Sequence, residues 1–235
     1  MTAATPLDFP DAMLVPVDPT EVTRLLDRLD LTGEGIGERR PDWGSDIVWL
    51  SATDESTFEL FEQAFERMNV GDHVRDRLDL DEAPRLFAGS VIRRSRCDAP
   101  HFHTDWRRCQ RQAYTFITAV DDDSAGFGLL YNDRDGRIVS YDYRPGEGIL
   151  FGDEFRHSTR PGASDSPVTL LCFEFGTDKM RYWRQIYSCI AGQSLLVRRP
   201  DGKLVAGIPP QWSRWRSRVA RRLPRLARLV KALVR

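Results

Sequence analysis

The residues of this chain best suited to chemistry are His103, Asp105 and His157. In an extended segment successive side chains point to opposite sides, so His103 and Asp105 in His103-Thr104-Asp105 project the same way. Joined by His157 from a distant strand, they would occupy one triangular face of a metal and leave the opposite positions open. Two imidazoles and a carboxylate suit a hard, redox-active cation such as Fe(II) better than one that prefers thiolates. The chain has only four histidines, so two of them at ligand spacing around one carboxylate owe little to composition.

Two other arrangements of the same residues stay open. His101 shares the expected face of His103, and a site of His101, His103 and His157 would resemble a cupin. The glutamate that follows a cupin's paired histidines is missing, because positions 106–109 read Trp-Arg-Arg-Cys. Alternatively the histidines are polar residues at a sheet end and hold nothing. A zinc site from Cys97, His101, His103 and Cys109 has an unusual spacing and leaves His157 unused.

Elements of two kinds must position these groups. Asp18-Pro19-Thr20 caps an amphipathic helix bearing Val22, Leu25, Leu26 and Leu29. Asp46 to Leu50 reads as a short strand. Asp54 to Ser56 then caps a second helix with Phe58, Phe61, Phe65 and Met68 on one stripe, closed by Asn69 and Gly71. From Arg85 the pattern changes to short strands, at 86–93, 101–106, 113–120, 127–131, 138–143, 148–151, 155–159 and 168–175. Gly-, Pro-, Asp- and Ser-rich breaks separate them, with Asp135-Gly136 as a hairpin signal. Closely spaced short strands of this number predict a barrel or a two-sheet jelly roll. Residues 183–207 suggest one more helix or strand and a hairpin around Pro200–Gly202.

His157 lies in GEGILFGDEFRHSTRPG, a glycine turn leading into a strand and then a Pro-Gly turn. With His103-Thr104-Asp105 before it and 51 residues between, this resembles the double-stranded β-helix core of the Fe(II)/2-oxoglutarate-dependent dioxygenases over residues 85–175. The resemblance implies a mainly β fold with flanking α, and iron held by His103, Asp105 and His157. It also implies 2-oxoglutarate and O2 as co-substrates, with hydroxylation of an unactivated carbon and release of succinate and CO2. The intact Asp105 carboxylate argues against the halogenating relatives.

The chain departs from that family at the residue that anchors the far carboxylate of 2-oxoglutarate. Most members place an Arg or Lys ten to fourteen residues after the distal histidine, and here Pro167 to Leu171 contains neither. Arg160 is the favoured substitute, Thr159 shares the face of His157, and Arg111, Tyr114 and Tyr131 are further candidates. Trp106, Arg107, Arg108 and Arg111 could line a pocket for an anion or form a solvated edge. Asp153 and Glu154 could touch substrate or merely make a turn.

Composition bounds the remainder. With 235 residues, 41% of them apolar, the chain can bury one substantial core. Residues 1–84 are expected to brace a catalytic core at 85–207, followed by a tail at 208–235. Four cysteines without a CxxC pair, a start without a secretory pattern and no apolar run of membrane-spanning length point to a cytoplasmic protein with reduced thiols. The net charge of −1 conceals a division. Residues 211–235 hold nine of the 34 basic residues and no acidic ones, which leaves the rest strongly acidic.

In that tail Trp212, Trp215, Val219, Leu223, Leu226, Val230 and Leu233 recur at helical spacing among arginines, interrupted at Pro224. A basic amphipathic helix of this kind fits an anionic membrane surface or the chain's own acidic body, and fits nucleic acid less well. The substrate class stays open among small molecules, peptides and lipid-linked compounds. The alternatives to the oxygenase are a cupin-type metalloenzyme without 2-oxoglutarate and a non-catalytic jelly-roll module tethered by the tail.

Overall fold

The main β-sheet of the protein is built so that alternate residues of its long central strands face two different environments. The structure is a computed structural model and describes residues 4–41, 46–120 and 127–207. Its elements in chain order are β1 (Thr5–Pro6), β2 (Ala12–Pro16), α1 (Pro19–Arg28), β3 (Ile36–Arg39), β4 (Ile47–Ala52) and α2 (Glu55–Arg67). A 3-10 turn over Val70–Arg77 leads to β5 (Arg85–Cys97), β6 (Ala113–Ala119), β7 (Gly128–Asn132), β8 (Ile138–Asp142), β9 (Glu147–Phe151), β10 (His157–Thr159) and β11 (Gly162–Gly176). Helix α3 (Trp183–Ile190) and the hairpin β12 (Leu196–Arg198) to β13 (Leu204–Ala206) complete the described chain.

Eight strands form the main sheet in the order β1-β2-β9-β6-β11-β5-β4-β3, and β10-β7-β8 form a smaller one. Their connections cross between the two sheets, which is the jelly-roll arrangement that the spacing of the strands predicts. On β11, Leu171, Phe173 and Phe175 point outward to α1 and α2 and pack with Leu25, Phe58, Phe61 and Phe65. Cys172 points the other way and joins Ile117, Leu129, Tyr143, Ile149 and Phe151 between the sheets. Burial of both faces explains why the central strands read as near-continuous apolar runs.

Both N-terminal helices start as their sequences require. The Asp18 side chain accepts from the Thr20 backbone N–H at 2.9 Å, and Asp54 accepts from that of Thr57 at 2.8 Å. Asn69, at φ 52°, terminates α2 in the left-handed region where asparagine is tolerated. The β7–β8 hairpin turns at Gly136, at φ 79°, with Asp133 Oδ1 accepting from the backbone of Asp135 and Arg137.

One predicted strand is absent. Residues 101–106 are irregular, and the segment makes a single antiparallel bridge, between His103 and His157. The expectation that His103 and Asp105 share the face of a regular strand is therefore corrected. The physical reason is the loop behind them, where Arg108, Gln110 and Arg111 all have positive φ and cannot continue a ladder. The acidic loop at 121–126 and the basic segment from residue 208 onward lie outside the described residues. No helix among the described residues is long and apolar enough to cross a membrane.

Candidate metal centre

The bridge that replaces the missing strand is what assembles the site. The backbone N–H of His103 donates to the His157 carbonyl at 2.9 Å, and the N–H of His157 returns the bond at 2.9 Å. Two candidate ligands 54 residues apart are thereby fixed side by side, with ring centroids separated by 4.5 Å. Asp105 completes the group. Its Oδ1 lies 3.5 Å from His103 Nε2 and 3.7 Å from His157 Nε2. One donor atom from each of the three falls within 4.8 Å of the others, and this is the group of metal-ligand geometry among the described residues.

The orientation of each ligand is set from behind. His103 Nδ1 lies 2.9 Å from the carbonyl of His101, and His157 Nδ1 lies 3.1 Å from that of Phe155. A carbonyl only accepts, so each Nδ1 carries the proton and each Nε2 presents its lone pair to the cluster. Burial of His157 holds its imidazole below the usual value, against the opposing pull of Asp105, and favours the neutral, ligating form. Asp105 Oδ2 accepts from Thr115 Oγ1 at 3.0 Å, and the fully buried Trp106 donates its indole N–H to the same Thr115 oxygen at 2.9 Å. These are the outer contacts that fix metal ligands in place. The donor set fits a divalent metal: three converging donors, a buried His157 held toward its neutral form, one supported carboxylate and an adjoining space.

That space is a cavity of roughly 300 Å³ between the two sheets. His103, Asp105 and His157 form part of its wall, and the inward residues of six strands supply much of the rest. Ile92, Ile117, Leu129, Leu170 and Phe127 make it largely apolar; Arg94, Thr159, Tyr143 and Cys172 add polar groups, while Arg40 and Gln193 also border it. Phe127, buried with Cys97 and Val168, also lines this space.

Of the expected co-substrate contacts, Thr159 lines the cavity and Arg160 and Tyr131 do not. Arg160 pairs with Asp142 and Ser140 on the smaller sheet, because one step along β10 turns the side chain to the opposite face. Tyr131 stacks on Phe155 with ring centroids 5.3 Å apart. Among the other candidates, Arg111 is tied to Asp11 at 2.7 Å, Tyr114 is buried on the helix side of the sheet, and Trp106 lies beneath the ligands. Asp153 lies in a turn before β10 and accepts from the Arg111 backbone N–H at 3.1 Å. His101 is exposed, with its ring 6.1 Å from that of His103, and stands outside the donor group.

The residue that sequence reasoning missed is Arg94. It sits on β5 as the cross-strand partner of Val168 on β11, and its side chain is nearly buried. Its Nη1 donates to Thr159 Oγ1 at 2.9 Å, and its Nε lies 3.1 Å from Asp46 Oδ2 and 2.8 Å from the Arg96 carbonyl. The alternation Ile92, Arg94 was visible in sequence, but only strand pairing places Arg94 beside Val168. Deeper on the inner face of β11, Glu174 is buried. Desolvation, then the negative charge of Asp105, pushes its carboxyl well above the usual carboxylate range and favours its neutral form.

No family model matches the chain, and no curated protein sequence does either. Solved structures are similar in fold. HygX from Streptomyces hygroscopicus, solved with nickel, 2-oxoglutarate and hygromycin B bound, has a TM-score of 0.55 at 14% identity, over 75% of this chain and 87% of its own. The non-heme alpha ketoglutarate dependent carbocyclase SnoK from nogalamycin biosynthesis has a TM-score of 0.53 at 12% identity, over 85% and 88%. The alpha ketoglutarate dependent epimerase SnoN from the same biosynthesis has a TM-score of 0.51 at 16% identity, over 72% and 78%. These likenesses show that the chain shares the fold of these three proteins.

Proposed function

We propose that the chain is an Fe(II)- and 2-oxoglutarate-dependent oxygenase that hydroxylates an unactivated carbon of a small organic substrate. The observation that carries this reading is the convergence of His103, Asp105 and His157 on the wall of a largely apolar cavity between the sheets. Fe(II) held there would supply the site at which O2 and 2-oxoglutarate react to give succinate, CO2 and the oxidising power for C–H attack.

The chain's own residues do the rest. His103 and His157 hold their Nε2 atoms toward the metal through their backbone hydrogen bonds, and Thr115 keeps Asp105 turned to it. Arg94, steadied by Asp46 and Thr159, offers a cation inside the cavity for the far carboxylate of 2-oxoglutarate, whereas Arg160 is paired with Asp142. Ile92, Ile117, Leu129 and Leu170 exclude water and orient an apolar portion of the substrate.

A second outcome at the same centre, epimerisation, is favoured by one feature. Tyr143 and Cys172 both line the cavity, and burial pushes both groups up, so each keeps a hydrogen to give to a substrate radical. Product analysis in heavy water separates the two outcomes. A gain of oxygen means hydroxylation; inversion with uptake of solvent deuterium means epimerisation.

The test of the reading is anaerobic loading with Fe(II), then succinate formation from 2-oxoglutarate under air in the presence of candidate substrates. Asp105→Ala should abolish both metal retention and succinate. Metal retention with no decarboxylation for any substrate would favour the cupin reading, and no metal retention would leave a binding module.

A further inference from the structure

Four thiols are present and none is bonded to another, yet two of them are in contact. Cys109 Sγ and Cys189 Sγ lie 3.9 Å apart although they are 80 residues apart in sequence. We infer that Cys109 and Cys189 are a reversible dithiol–disulfide site that ties the loop following Asp105 to the helix that leads into the cavity wall.

Cys109 lies in the positive-φ loop directly after Trp106, four positions beyond the carboxylate ligand. Cys189 lies in the last turn of α3. The two elements share one core cluster, in which Trp106, Cys109 and Ala113 pack against Ile186 and Ile190, with Cys189 at its edge. Beyond α3 the chain runs through Ala191, whose carbonyl accepts from Arg39 Nη1 at 3.0 Å, to Gly192 and Gln193, which line the cavity. A covalent bond here would therefore join the ligand-bearing loop to the wall of the cavity. That consequence for catalysis rests on the oxygenase reading; the dithiol itself does not.

The two thiols are unequal in the way that exchange chemistry needs. Cys109 is buried and Cys189 is partly open to solvent. The hydrogen bond from Cys109 holds the Cys189 thiol down to about 7, despite burial, and the same contact pushes Cys109 upward. Cys189 is then the reacting thiolate and Cys109 the resolving thiol.

With hydrogen peroxide as oxidant, Cys189 sulfur attacks one peroxide oxygen, the O–O bond breaks and hydroxide leaves, giving a sulfenic acid. Cys109 sulfur then attacks Cys189 sulfur. The S–S bond forms, the S–O bond breaks, and the departing hydroxide takes the Cys109 proton as water. Two thiols lose two electrons, and one peroxide becomes two waters. A thiol reductant reverses the change by exchange. Bond formation requires the sulfurs to close to about 2.05 Å, a movement within reach of side-chain rotation and a small loop shift.

The experiment treats the full chain with hydrogen peroxide, blocks residual thiols and maps cross-linked peptides by mass spectrometry. The expected result is a Cys109–Cys189 link that dithiothreitol removes, with Cys97 and Cys172 still blocked as thiols. Cys189→Ser should lose the link and leave Cys109 as a thiol. A second measurement is amide hydrogen exchange, which should slow at residues 191–193 on oxidation of the parent chain and stay unchanged in Cys189→Ser. Oxidation of Cys189 to sulfinic acid without a link, or a link formed by Cys97 or Cys172, would overturn the dithiol. A link that leaves exchange at 191–193 unaltered would overturn the tie to the cavity wall. None of these readouts uses succinate, so a failure of the oxygenase reading would remain distinguishable.

Discussion

Arg94 faces Val168 directly across the ladder between β5 and β11, and its guanidinium reaches over to Thr159 on the opposite sheet. Val168 falls inside the stretch after His157, residues 167–171, that contains no basic residue. Arg94 thus lies one strand sideways from that stretch, on the same inner face. Antiparallel partners sit about 5 Å apart and point the same way, so either position can deliver a guanidinium to the same space.

Arg94→Gln should therefore raise the KM for 2-oxoglutarate strongly. Loss of a charge-assisted hydrogen bond costs about 1.5–3 kcal/mol, which corresponds to roughly a 10- to 100-fold change. Arg160→Ala, which breaks only the pairing with Asp142 and Ser140, should leave that KM near its parent value. Placing Val168→Arg on an Arg94→Val background should recover part of the affinity. Steady-state succinate kinetics on the four proteins check all three statements, and equal KM values for Arg94→Gln and the parent would remove Arg94 from its role.

Thr115 is expected to matter to the metal without touching it. Thr115→Val deletes the hydroxyl that donates to Asp105 and accepts from Trp106, and loosens the carboxylate while keeping the side-chain shape. Losing such an outer contact lowers metal affinity by about 10- to 100-fold. Competition with a chromophoric chelator, using Ni(II) or Co(II) as probe, measures this directly. Unchanged affinity would mean that Asp105 is positioned by packing alone.

Glu174 predicts a pH dependence of stability. Its folded-state pKa lies well above the ordinary 4.5, through burial first and the charge of Asp105 second. As pH rises from that ordinary value toward the folded one, the unfolded chain gives up its proton while the folded chain keeps it. Stability falls through this window, by at most about 1.4 kcal/mol per pH unit. Glu174→Gln cannot ionise and removes the loss. Thermal melts of the metal-free chain should show little difference between variant and parent near about pH 5 and a growing advantage for the variant toward about pH 8. A gap independent of pH would contradict a neutral Glu174.

The packing of α2 on the sheet gives a prediction independent of the site. Gly89 lies under the ring of Phe61, where an added Cβ would meet Phe61 Cδ1 at 2.6 Å. Phe61 is fully buried and has nowhere to move. Gly89→Ala should destabilise by about 1–3 kcal/mol. Phe61→Leu in the same chain should relieve part of that cost, so the pair should depart from additivity in urea titrations. Additive effects would mean that α2 shifts as a body instead.

Local patterns carried the elements that depend on local physics. The Asp18 and Asp54 caps, the Phe58–Phe61–Phe65 stripe and the Asp135-Gly136 turn were legible because capping, amphipathic spacing and positive φ are set by neighbours within a few residues. The predicted strand at 101–106 failed for the same reason in reverse. Its alternation looks extended, but three left-handed residues from Arg108 onward break the ladder, and long-range pairing with His157 leaves it a single bridge.

The candidate donor types, their order along the chain and a strand-rich scaffold are legible in the sequence, since side-chain chemistry and short-range periodicity are written into the residues. That His103 and His157 meet through their own backbones, that Arg94 rather than Arg160 lines the cavity, and that Cys109 touches Cys189 follow from tertiary packing. Each of these depends on which distant strand or helix lies alongside. Pairing register is settled by burial of the whole core, not by any stretch of the chain that can be read alone.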